Sequence, residues 1–180
     1  MASYAAFLRG VNLGSNRRVS GDELRAIFTR LGFRDVDAFR TSGNVVFDAD
    51  RAPVAKTRAR IEAALADTLG HEVMVFLRSA RELDAIAAHE PFGAKLVRAS
   101  KGKLQVSLLA DKPAAGPRNK VLDLAGDDDR LAFGPRELFW LPSGGTRDSA
   151  LDMKTIEKLL GPTTMRTKGT VEQLVAKYFA

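Results

Sequence analysis

Cysteine is absent from this 180-residue chain, and histidine occurs only twice, at His71 and His89. The first absence excludes disulfides and thiolate metal sites. The second leaves any His-based metal site in need of carboxylates that do not cluster near either ring. His89-Glu90 lacks the second His of a zinc-binding helix, and no catalytic triad can be assembled. Gly10-Val-Asn-Leu-Gly14 leads neither to the third Gly of a dinucleotide fingerprint nor to Gly-Lys-Ser/Thr, so both phosphate-loop classes are rejected. No window approaches the roughly 20 apolar residues of a membrane helix, and MASYAAFLRG lacks the basic start and apolar run of a signal peptide. The expectation is a cytoplasmic protein with no membrane association, no metal and no cofactor.

What is present suffices for a packed core: 45% of the residues are hydrophobic. That bounds the chain to one globular domain or two small ones. The net charge of +6 divides evenly, with 12 basic and 9 acidic residues over 1–80 and 16 basic and 13 acidic over 81–180. One stretch departs from this evenness: from Lys95 to Lys120, seven Lys/Arg face a single acid, Asp111. If these charges shared a face they would attract a polyanion; a solvated basic loop and strand is the plainer interpretation. Asp127-Asp-Asp129 reads as a solvated turn, because three consecutive acids point in different directions.

The hydrophobic pattern divides into short elements. Tyr4–Leu8 reads as a strand. Ser20-Gly-Asp-Glu23 is a capping box ahead of a helix whose Leu24, Ile27, Phe28 and Leu31 form one stripe, closed by Gly32. Val36–Arg40 and Val45–Phe47 read as strands joined by the turn at Thr41-Ser-Gly-Asn44. Pro53 opens a second helix, with Ile61, Leu65 and Leu69 on one face and Gly70 at its end, and Val73–Leu77 is a fourth strand. The order β-α-β-β-α-β predicts a ferredoxin-like α/β plait over residues 1–78, an antiparallel sheet with both helices on one face. Ser79-Ala-Arg-Glu82 caps a helix that stops before Pro91, giving a linker over 79–102. Residues 103–180 repeat β-α-β-β-α and end in a helix at Val171–Phe179, a second plait-like domain without its fourth strand. The class is therefore α+β, with two plaits in one chain and no repeated sequence to relate them.

In a plait the first strand ends beside the start of the third. This brings Arg9-Gly-Val-Asn12 next to Ser42-Gly-Asn44, with the positive end of the Ser20 helix near the same edge. Arg9, Asn12, Asn16, Arg17, Ser42 and Asn44 would make a neutral-to-positive nest suited to a phosphate or carboxylate. The competing interpretation gives these Gly and Asn residues only the task of shaping two turns. Arg40-Thr-Ser-Gly-Asn-Val-Val-Phe47 has the basic start and final Phe of an RNA-binding strand motif. Ser42 and Asn44, however, stand where the base-stacking aromatics belong.

Leu8-Arg-Gly-Val-Asn12, Ser42-Gly-Asn-Val-Val-Phe47 and Thr164-Met-Arg-Thr167 with Thr170-Val171 occur in an order and at separations that resemble the family catalogued as domain of unknown function 1697. The resemblance covers essentially the whole chain and implies two α/β plaits, and it brings no reaction with it. Arg166 and Thr170 match the last motif, which makes Arg166 a candidate third contributor to the site. Lys168-Gly169 departs from the aromatic followed by Asn or Arg usual there, so a stacking role for that aromatic does not carry over. Three functional classes stay open: a protein that binds an anionic ligand at the edge of the first domain, either a nucleotide-like small molecule or a nucleic-acid backbone; an enzyme on a small phosphorylated or carboxylated substrate; and a module with a protein partner. The enzyme is disfavoured because Asp22 and Glu23 are committed to a helix start, leaving no general base in view.

Overall fold

A computed structural model describes residues 1–12, 18–41, 43–144 and 151–180. The chain is α+β, with fifteen elements among the described residues: β1 (Ala2–Arg9), α1 (Gly21–Arg30), β2 (Arg34–Ala38), β3 (Asn44–Ala49), α2 (Val54–Leu69), β4 (Met74–Ser79), α3 (Ala80–Ala88), α4 (Ala94–Ala99), β5 (Gln105–Leu109), α5 (Ala115–Asp123), β6 (Asp129–Phe133), β7 (Glu137–Pro142), α6 (Met153–Leu160), β8 (Thr163–Thr167) and α7 (Lys168–Tyr178). They divide into two compact units, Met1–Asp84 with Lys177–Ala180, and Ala85–Ala176. Each holds one four-stranded antiparallel sheet, ordered β2-β3-β1-β4 in the first and β6-β7-β5-β8 in the second. Among the described residues no helix is long and apolar enough to cross a membrane.

In the first unit, alternation along β1 sends Tyr4, Ala6 and Leu8 to the face where α1 and α2 bring Leu24, Ile27, Phe28, Ile61 and Leu65. Phe33 stacks on Phe47 with ring centroids 4.5 Å apart, and Phe28 meets Phe47 edge-on at 5.4 Å, so aromatic volume fills the space under α1. The predicted capping box forms in full: Ser20 Oγ accepts from the Glu23 amide at 3.1 Å and Glu23 Oε2 from the Ser20 amide at 2.7 Å. Gly32 and Gly70 end their helices at φ of 86° and 77°. Asp37, half-buried at the end of β2, accepts from Tyr178 Oη at 2.6 Å and from Arg25 Nη1 at 2.9 Å. The Tyr178 hydroxyl is the leading cause that holds the Asp37 carboxyl below its ordinary range.

The second unit departs from expectation at its end. The missing fourth strand exists: Thr163–Thr167 pairs antiparallel with β5, from Leu109↔Thr163 to Gln105↔Thr167. Thr-Thr-Met-Arg-Thr has no apolar alternation to announce a strand, but β-branched threonines suit an extended backbone and Thr163 and Thr164 are buried. A short helix, α4, occupies part of the stretch read as linker.

The two sheets share a device that sequence comparison did not reveal. Arg78 of β4 pairs across from Ala5, and Arg166 of β8 from Val106. In each case the next residue is a hydroxyl cap for the following helix. Ser79 Oγ accepts from the Glu82 amide at 3.3 Å and Thr167 Oγ1 from the Thr170 amide at 3.2 Å. The matched Arg-Ser and Arg-Thr pairs at equal registers are structural evidence of internal repetition.

Candidate functional site

Strands β1 and β2 run parallel to one another and antiparallel to β3 and β4. The ends of β1 and β2 and the starts of β3 and β4 therefore meet at one edge of the first sheet. Backbone and side-chain bonds tie this edge together. The Leu8 amide donates to Gly43 O at 2.8 Å, the Phe39 amide to Asn44 O at 2.8 Å, and the Val19 amide to Asn12 Oδ1 at 2.9 Å. Gly10 and Gly43 adopt φ of 83° and 75°, the left-handed region open to glycine. At Gly43 a Cβ would also lie 3.2 Å from Leu8 Cβ, so the two turns approach closely where Gly43 crosses the end of β1.

Of the residues predicted for the site, Arg9, Asn12 and Asn44 lie at this edge. Arg9 is exposed at the last position of β1. Asn44 is fully buried, and its Nδ2 donates to Phe39 O at 2.9 Å across the base of the turn. Both asparagines thus hold backbone in shape: Asn12 closes the start of the β1–α1 connection on its end, and Asn44 closes the β2–β3 connection. Asn16, Arg17 and Ser42 fall outside the described residues. Arg166 and Thr170 belong to the second unit. There Arg166 Nη1 donates to Thr164 Oγ1 at 2.8 Å and to Met165 O at 2.9 Å, and burial lowers its pKa to about 10. The Thr170 hydroxyl pairs with that of Thr167 at 2.8 Å, in the first turn of α7.

The electrostatics of the edge differ from the expected nest in one respect. The start of α1 is already served by its own side chains, since the capping box occupies two backbone amides and Asp22 and Glu23 stand in the first turn. Positive potential therefore comes from arginines more than from the helix dipole. One of these, Arg40, was not singled out. It is exposed, it holds a left-handed φ of 60°, and its guanidinium carbon lies 5.4 Å from the Phe39 ring centroid. A non-glycine residue in that region carries a conformational cost of about 1–2 kcal/mol.

His71 also belongs to this edge. It is half-buried, and its Nε2 lies 2.8 Å from Gly10 O. A carbonyl oxygen only accepts, so Nε2 carries the hydrogen in this contact. The signal lay in the topology: a residue just before β4 must fall beside the end of β1, as Arg9↔Met74 pairing requires. The edge thus unites arginines, turn amides and one imidazole. Among the described residues no group of three or more His, Cys, Asp or Glu is placed to hold a metal ion.

Comparison with known proteins bears on the Leu8–Asn12 and Ser42–Phe47 motifs, while the Thr164–Val171 motif lies beyond the family match. No curated protein matches the chain. A solved structure of a conserved bacterial protein from Streptococcus pneumoniae is similar over 98% of this chain and 99% of its own, with a TM-score of 0.73 and 22% identity, a likeness of fold. The model of the family described as protein of unknown function DUF1697 matches residues 1–139, more than three quarters of the length, and the chain therefore belongs to that family.

Proposed function

We propose that each unit is a ferredoxin-like plait and that the protein binds a small anionic ligand, phosphate- or carboxylate-bearing, at the turn edge of the first one. The observation that carries this is that Arg9, at the end of β1, and Arg40, just after β2, adjoin two glycine turns whose neighbouring backbone is held by Asn12 and Asn44. Guanidinium groups and turn amides recognise planar and tetrahedral oxyanions well, because they offer several donors in fixed directions. In this reading Arg9 and Arg40 contact the ligand, with Asn16, Arg17 and Ser42 as further candidates from the adjoining loops. Asn12 and Asn44 position the backbone.

His71 favours a second reading, an enzyme acting on a small phosphorylated or carboxylated substrate. In that reading the imidazole, held against Gly10 O, is the general acid–base group beside the turn motifs. A nucleic-acid ligand would instead engage the basic stretch from Lys95 to Lys120.

The test is a thermal-shift titration with phosphate and nucleotides, run beside fluorescence anisotropy with labelled oligonucleotides over a salt series. A small anion gives saturable stabilisation that Arg9→Ala and Arg40→Ala each weaken about tenfold, equivalent to about 1.4 kcal/mol. Each phosphate neutralised on a single strand contributes about −0.7 to the slope of log K against log salt, so a slope steeper than about −3 would favour the nucleic-acid backbone. Silence in both assays removes the anion site and leaves the protein-partner module.

A further inference from the structure

The second unit contains an open cavity of about 390 Å³, lined among others by Leu96, Ser100, Lys101, Asp127, Asp128 and Arg130. It brings Lys101 of the basic stretch together with Asp127 and Asp128 of the acidic triplet. Asp129 is turned away from solvent, accepting from the buried Trp140 indole at 2.8 Å, while Asp127 and Asp128 stay exposed at the cavity. Lys101 and Arg130 are exposed there too, and among the described residues none of these four charges forms an ion pair.

One wall is built rigidly. Ser100 Oγ donates to Pro142 O at 2.7 Å and accepts from the Gly102 amide at 3.2 Å. Gly102 is so close to β7 that a Cβ would lie 2.3 Å from Gly144 O and 2.6 Å from Pro142 O. Only glycine fits, and the bend that carries Lys101 is pinned against the end of β7. Leu96, Leu141 and Pro142 supply an apolar side, of which Leu96 is 44% exposed.

We propose that this cavity is a binding site for a small zwitterion, a molecule bearing an ammonium and a carboxylate on an apolar body. Two cations and two carboxylates on one lining present no net charge to a simple anion or cation, whereas a ligand of both signs satisfies each in turn. The volume lies at the small end of ligand pockets, roughly 300–1,000 Å³, which suits a single amino acid or an ω-amino acid of similar size. The apolar side gives the body of such a ligand a surface to cover.

Isothermal titration calorimetry on the full chain tests this with leucine and a series of ω-amino carboxylates, each against its ammonium-only and carboxylate-only counterparts. Saturable binding of at least one zwitterion is expected, with both single-charge counterparts at least tenfold weaker. Arg130→Gln and Asp128→Asn, which alter exposed side chains, should each weaken it at least tenfold while leaving the melting temperature unchanged. Should either variant melt early, Lys101→Gln gives the same reading from another wall. Absence of saturable binding across the series would overturn the site, as would equal affinity for the single-charge counterparts, or binding that survives the substitutions.

Discussion

In both units the amide at the end of the first strand closes onto the carbonyl just before the third: Leu8 to Gly43 at 2.8 Å, and Leu109 to Arg136 at 2.9 Å. The hairpin beside it closes alike, Phe39 to Asn44 at 2.8 Å and Gly134 to Glu137 at 2.9 Å. Backbone topology is repeated almost bond for bond, and the chemistry is not. Where the first unit buries the neutral amide of Asn44, the second buries the carboxylate of Glu137, which accepts from the Arg136 amide at 3.1 Å. Arg136 itself donates back to Ala110 O at 3.3 Å. A buried carboxylate at the same register makes the second edge unsuited to an anion, and the first edge has none there. On the proposed reading, the pairing of strands selects where a site can be, and the side chain at the start of the third strand contributes to its sign.

The largest effects lie in the cores on which both edges rest. Phe28→Ala should lower the unfolding free energy by about 3–5 kcal/mol through cavity formation under α1, measured by urea denaturation followed by circular dichroism. Its counterpart Ile156→Ala should cost about 2–5 kcal/mol, and Trp140, the sole tryptophan, reports on the second unit by fluorescence. A loss below about 1 kcal/mol at either position would contradict the packing described.

Next comes a swap of sign. Asn44→Asp gives the first edge the acidic character of the second and should abolish phosphate-induced thermal stabilisation, a loss of at least tenfold in affinity. Asn44→Ala removes only the bond to Phe39 O, costing about 1–3 kcal/mol of stability while sparing binding in part. If Asn44→Asp bound phosphate as well as the parent, the difference between Asn44 and Glu137 would not be what separates the edges.

A smaller effect tests how closely the turns approach. Gly43→Ala and Gly32→Ala both place an alanine at positive φ, 75° and 86°, at about 1–2 kcal/mol each. Only at Gly43 does the new methyl meet Leu8 Cβ, at 3.2 Å, while at Gly32 nothing lies within 4 Å. Gly43→Ala should be the more destabilising of the two in thermal melts, and equal losses would mean that Leu8 yields freely.

The smallest is a pH effect at Asp37. Its carboxyl is held below the ordinary 3.8, first by the Tyr178 hydroxyl. The folded form therefore binds the proton less tightly than the unfolded chain, and the contribution is complete above 3.8 and lost as pH falls through the lowered folded value. Asp37→Asn should flatten the acid limb of the stability profile below pH 4, and because the side chain is 37% exposed the change should be slight. An unchanged acid limb would show that the pair with Tyr178 contributes nothing in solution.

Local order was legible in residue types alone. Ser20 and Glu23 announced a capping box, Gly32 and Gly70 announced helix ends, and runs of Val, Phe and Leu announced seven of the eight strands among the described residues, because each signal acts within a few residues of backbone. The nearness of Arg9-Gly-Val-Asn12 to the β2–β3 turn was also legible, since it follows from strand order. β8 was not, because Thr-Thr-Met-Arg-Thr becomes a strand only when β5 offers its edge. Nor was β2 placed to the residue, with Asp35 and Arg40 at positive φ near its ends. The role of each asparagine, the bond from His71 to Gly10 across 61 residues of chain, and the turning of Asp129 toward Trp140 while its two neighbours stay exposed all belong to tertiary structure. Hydrogen bonds between distant groups depend on distances of a few tenths of an ångström, and such distances exist only once the sheets have set the registers of their strands.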